Sequence, residues 1–304
     1  MDITIREVQT AVIRPALKGK AFYNTSMPVA LRETQAYATT EGAVYSAPEL
    51  ADLRIQGNIP WNKWFTANTE ELVGRTRGGA GLVAVAHRGA LLTKDPERIE
   101  AAYEASLITG AGKIDTTEFQ TLVEEGKHLD GSDANVYRLS EISDWDDLPY
   151  DAIILADKAD LAKLPSIRQD IARLKDNPLV HMRLLGPKRA AEYLDAAGAA
   201  YGVSSIGNWH PFADINADQT QGRVVFLGDN DDDGLDGDNG NFFNDGRFVG
   251  VAPEAQEDSA RSDAQNLEAE LRSVLAPELG AKHLDRVLRD VLSVGLRYTA
   301  QPQE

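Results

Sequence analysis

The sequence predicts an α+β or α/β protein: a mixed sheet with flanking helices, an extended N-terminal arm and a helical C-terminal tail. Three observations carry this prediction. Short apolar runs at 82–86, 152–156 and 223–227 have the length of buried strands. Between them lie stretches with helical start and stop signals, such as Asp95-Pro96 and Gly110. At the end of the chain, Leu284, Val287, Leu288 and Val291 recur at helical spacing.

Taken in order, residues 1–78 are mixed in texture and carry few helix signals, which predicts an arm with strands and loops. Gly74, Gly78, Gly79 and Gly81 mark a turn or hinge. The main body is expected from residue 79 to 304. Leu82-Val83-Ala84-Val85-Ala86 reads as a strand buried on both faces. A helix capped by Asp95 runs to Gly110, and a shorter one starts at Asp115, with Glu118 at capping-box spacing, and stops at Gly126. Strands are expected at 136–139, 152–156, 223–227 and 247–251, and helices at 166–176 and 187–200. The tail, 262–297, is expected to be two helices broken at Pro277 and Gly280, with an apolar face that packs on the body.

Composition excludes several function classes. With no cysteine among 304 residues, disulfides, thiolate catalysis and Cys-ligated metals are out. The net charge of −17 repels phosphate backbones, so nucleic-acid binding is disfavoured. No apolar run has the length of a membrane span, and the first residues do not read as a secretory signal. Eleven Lys against 28 Asp resembles the composition of salt-adapted proteins, because at molar salt a Debye length of about 3 Å screens self-repulsion.

That acidity is concentrated at 229–245, which holds seven aspartates. Asp229, Asp231 and Asp233 alternate ahead of Gly234, matching the first half of a calcium loop. Such spacing turns alternate carboxylates inward toward a hard cation. The twelfth position, where a bidentate Glu belongs, is Gly240, so the loop is not an EF-hand. The candidate ligands for a structural Ca2+, Na+ or K+ are Asp229, Asp231, Asp233, Asp236 and Asp238. A solvated acidic loop is the competing expectation.

The other candidates for chemistry are weaker. His87 follows a buried strand, and His210 sits in Gly207-Asn208-Trp209-His210-Pro211-Phe212; together with an aspartate they could form an enzyme site. Arg75-Thr76-Arg77-Gly78-Gly79-Ala80-Gly81 precedes a strand rather than a helix, the reverse of a phosphate cradle. Trp61, Trp64 and Phe65 follow Pro60 and could anchor a neighbouring subunit or fill a core. No catalytic residue or organic cofactor is assigned.

The run Tyr150-Asp151-Ala152-Ile153-Ile154-Leu155, then Asp160-Leu161-Ala162-Lys163-Leu164 and Ala172-Arg173-Leu174-Lys175-Asp176-Asn177-Pro178-Leu179, resembles a stretch of tailed-virus major capsid proteins. The resemblance implies self-assembly into an icosahedral shell as a homo-oligomer. It also implies an arm at 1–78, a spine helix at 96–109, and a location in a virion or in the cytoplasm of a salt-loving host. Two alternatives stand beside it: a metal-dependent hydrolase-like α/β enzyme, and a binding protein that displays loop 229–245.

Overall fold

A computed structural model describes residues 19–38, 42–104, 111–128, 130–237, 242 and 245–251. The tail helices expected at 262–297 and the first 18 residues lie outside the described residues. Gly19–Pro253 form one compact unit.

The chain enters through β1 (Lys20–Asn24), α1 (Met27–Ala38), β2 (Ala43–Val44) and α2 (Ala47–Ile55). The expectation of an extended region with few helices fails here. Helix α1 opens on Met27-Pro28, and Pro suits a first turn because it lacks an N–H to leave unpaired. In α2, Pro48 lies in the first turn, and the Glu49 carboxylate accepts from Ser46 N–H at 2.9 Å and Ser46 O–H at 2.8 Å. Helix α2 has no polar face: Glu49, Asp52 and Arg54 are as buried as Leu50 and Leu53. Each buried charge is matched. Arg88 pairs with Glu49, Arg189 with Asp52 at 3.1 Å, and Arg54 donates to the carbonyls of Lys63 and Gly228 at 2.6 and 2.7 Å.

The central hairpin follows, β3 (Phe65–Arg75) and β4 (Gly81–His87), turning through Gly79 in the left-handed region (φ 87°) as the glycine cluster predicts. Strand β4 alternates between two cores: Leu82, Ala84 and Ala86 join one cluster, Val83 and Val85 the other. It is buried on both faces, as expected. Next come α3 (Pro96–Glu104), β5 (Gly112–Lys113) and α4 (Thr116–Gln120). Asp115 caps α4, accepting from Thr117 N–H at 2.8 Å, while Glu118 turns to Arg98 rather than completing a capping box. One π-type turn extends α4 to Gly126, whose φ of 62° stops it.

The second half runs β6 (Val136–Arg138), β7 (Ile153–Asp157), α5 (Lys158–Leu161), β8 (Ile167–Asp170), α6 (Ile171–Leu174), α7 (Pro178–Arg183) and α8 (Pro187–Tyr201). Strands β9 (Ser205–Trp209), β10 (Gln221–Leu227), β11 (Leu235–Asp236) and β12 (Gly246–Val251) complete it. Where one helix was expected at 166–176, the chain is strand first and then a single helical turn. Residues 167–170 pair antiparallel with β9, and that ladder outweighs local helix propensity.

The larger sheet has the order β6-β7-β4-β3-β10-β11-β9-β8, with β5 also on β10. Among the described strands only β6–β7 and β11–β9 are parallel. The fold is therefore α+β, with helices on a largely antiparallel mixed sheet. A small sheet, β1-β12-β2, covers one face together with α1. No described helix is long and apolar enough to cross a membrane.

Candidate functional site

Loop 229–237 leaves β10, lies over β9 and returns as β11. Its first half is organised by Asn230. The Asn230 Oδ1 accepts from the N–H groups of Asp232 and Asp233 at 2.9 and 3.0 Å, an Asx-type turn. Its amide Nδ2 donates to Asp233 at 2.6 Å and Asp229 at 3.1 Å. Gly234 turns the chain at φ 49° and lies so close to Gly207 that a Cβ there would sit 2.0 Å from the Gly207 carbonyl.

Three contacts bind this turn to the β8–β9 end of the sheet. Gly207 N–H donates to Asp231 C=O at 2.8 Å, and Trp209 Nε1–H donates to Asp232 C=O at 2.7 Å. Arg168 on β8 donates to the Asp232 carboxylate at 2.6 Å, pairs with Asp231, and is steadied by Ser205 Oγ at 2.8 Å. Those two carboxylates keep the Arg168 guanidinium charged, shifting its pKa upward.

Beneath lies a buried polar node. Arg183 and Glu71 are 0% and 1% exposed and paired at 2.6 and 3.1 Å. The same guanidinium donates to Asn208 Oδ1 at 2.8 Å, Leu235 C=O at 3.0 Å and Trp209 C=O at 2.8 Å. It thus ties β3, β9 and β11 together from below. Gly237 is required here, since a Cβ would fall 2.1 Å from Glu71 Oε2.

The far end of the segment returns at Asp245, which accepts from Tyr23 O–H at 2.9 Å. Arg247 lies 4.9 Å from the Tyr23 ring centre and 5.0 Å from that of Trp64, and Trp64 meets Phe226 edge-on at 5.8 Å. Trp61 packs against Tyr193 and Tyr201 and below Arg54. Both tryptophans of the aromatic cluster are therefore engaged within this chain.

The proposed cation ligands do not converge. Asp231 faces Arg168, Asp229 and Asp233 face the Asn230 amide, Asp236 is buried on β11, and Asp238 lies outside the described residues. Among the described residues no three acidic or histidine side chains form a group able to hold a metal ion. What the arrangement does is immobilise backbone while leaving Asn230, Asp232 and Asp233 at the surface.

The histidines do not meet in a site either. His87 is fully enclosed, with Thr69 Oγ1 at 3.1 Å and Met182 C=O at 2.9 Å, and burial lowers its pKa to about 3. His210 stacks on Phe212 at 5.0 Å, with neither ring nitrogen hydrogen-bonded among the described residues. Burial, then Arg183 nearby, lowers its pKa to about 4. Both are neutral packing residues at physiological pH. Two concavities, one beside β6 and one at 155–161, are lined by neither.

Sequence reasoning missed Arg168, Glu71, Arg183 and Trp209. The one available signal was a charged residue inside apolar Met182-Arg183-Leu184-Leu185, a position that demands a buried partner.

The site defines a class: a scaffold that holds a surface loop from below with buried polar chemistry. The chain is similar to a solved structure reported as "Accommodation of massive sequence variation in Nanoarchaeota by the C-type lectin fold". The identity is 30% and the TM-score 0.59, over 78% of this chain and 98% of that one. The chain belongs with that protein to a family having the C-type lectin fold. No family model and no curated protein matches.

Proposed function

We propose that this chain is a binding protein that displays segment 229–245 as its recognition surface. The observation that carries the proposal is the division of labour inside the loop: its backbone is held by Gly207, Trp209 and Arg183, while the side chains of Asp232 and Asp233 are exposed. The related protein, whose fold is described as accommodating massive sequence variation, supports this reading over self-assembly into a shell. In this chain, sequence change would be absorbed at the outward positions and refused at the anchors.

The experiment is a display library that randomises residues 232 and 233 together, beside a second that randomises 183, 207 and 234. Retention of fold is scored by protease resistance. The proposal expects the first library to keep most members folded and to yield binders to arbitrary targets, and the second to lose most members. Equal losses in both would overturn it. So would closed shells of the purified protein in electron micrographs at molar salt.

A structural Ca2+, Na+ or K+ held by the segment would need Asp238 or another group outside the described residues. Melting curves with added Ca2+ or with chelator separate the two roles. A display loop is indifferent to both, whereas a cation loop loses thermal stability on chelation.

A further inference from the structure

The opposite end of the large sheet carries a second surface. Among the described residues, strand β6 is the terminal strand and pairs only with β7, in parallel. Ile153 N–H donates to Asn135 C=O at 2.8 Å, so residues 135 and 137 turn toward β7. Val136 and Arg138 then turn their backbone groups the other way. Val136 N–H is taken by Ala134 C=O at 3.0 Å, which leaves Val136 C=O and Arg138 N–H directed outward.

A cleft of about 430 Å³ opens there, between β6 and the loop 141–148. No β7 residue lines it, which places it on the free side of β6. Its floor is apolar: Tyr137, Ile142 and Leu148 are half-buried and pack on the core. Its rim is acidic, with exposed Glu141, Asp144 and Asp147 against one cation, Arg138. None of the three carboxylates is in an ion pair among the described residues.

We propose that this cleft takes an extended, basic segment of a partner protein, which adds to β6 as a further strand. Main-chain bonds to Val136 and Arg138 set its register, an apolar side chain enters the cleft, and flanking Lys or Arg meets the acidic rim. The proposal is independent of the display loop, which lies at the other end of the sheet order.

The test uses the full chain and a capped pentapeptide of alternating lysine and valine, followed by calorimetry in about 0.1 M salt. Saturable one-to-one binding is expected. The triple variant Glu141→Gln, Asp144→Asn, Asp147→Asn, unchanged in circular dichroism, should bind about fivefold more weakly. A glutamate–valine peptide should not bind, and methylating the central amide nitrogens of the lysine peptide should abolish binding. No binding of the lysine peptide, equal binding by the triple variant, or indifference to methylation would each overturn the proposal. So would self-association through β6 that the peptide does not compete with, since the occupant would then be a second copy of this chain.

Discussion

Arg183 and Arg168 do the same chemistry at two depths. Each sets a guanidinium against carboxylate, and each steadies the segment between β10 and β11. Arg183 is fully buried and reaches Glu71, Asn208 and two carbonyls; Arg168 is about one-third exposed and reaches Asp231, Asp232 and Ser205. The buried arginine cannot be hydrated if its partners are lost, so its network is all-or-nothing. The exposed one can exchange carboxylate for water at little cost. In the proposed display role, the residues that hold the fold are thereby distinct from those that face outward.

The sharpest way to break this comparison is Arg183→Met. It strands the Glu71 charge in the core and should cost about 3–5 kcal/mol, read by chemical denaturation. Adding Glu71→Leu should restore much of that loss. A double variant as unstable as the single would show that geometry rather than charge pairing holds the node.

Acid attacks the buried side first. His87 and His210 are neutral when folded down to about pH 3 and 4, while the unfolded chain protonates near 6.5. Their depressed values contribute stability that is complete above pH 6.5 and is lost as pH falls toward 4 and then 3. The slope should approach about 1.4 kcal/mol per pH unit for each. Melting curves between pH 7 and 4 check this, and His210→Phe should remove about half of the slope.

Gly207→Ala probes the layer between the two arginines. The added Cβ would lie 2.0 Å from the Asp232 carbonyl, so the loop must lift. A loss of about 1–3 kcal/mol is expected, with Trp209 fluorescence reporting the released contact. Arg168→Ala should cost only about 0–1 kcal/mol, and less at high salt. The smallest expected effect is that of calcium. Because the described carboxylates already face Arg168 and Asn230, adding Ca2+ or chelator should leave the melting temperature within about 2 °C. A larger rise would restore the cation loop.

The contrast also explains what the sequence makes legible. Apolar runs at 82–86, 152–156 and 223–227 announce β4, β7 and β10 because both faces of those strands are buried. Asp115, Gly126 and Pro187 announce helix ends because capping is local chemistry. Strand β9 was unreadable: Ser205-Ile206-Gly207-Asn208-Trp209 looks like a turn. It becomes a strand by pairing with β8 and β11, while Arg183, 25 positions away from Asn208, satisfies its buried Oδ1. Helix α2 was hidden differently, since its buried Glu49, Asp52 and Arg54 erase the stripe by which helices are recognised. The acidic loop was legible from its aspartates, but the spacing that reads as a cation loop does not reveal Arg168, 64 positions before Asp232, which pairs with two of them.

One pairing described earlier bears on how such a body could be reused. Strands β1 and β12 lie side by side, with Lys20 opposite Gly250, so the chain enters and leaves the 19–253 unit at adjacent points. A unit with that entrance and exit behaves as a cassette. It can be spliced into a surface loop of another protein, or circularly permuted by joining those ends, without stretching the host across its width.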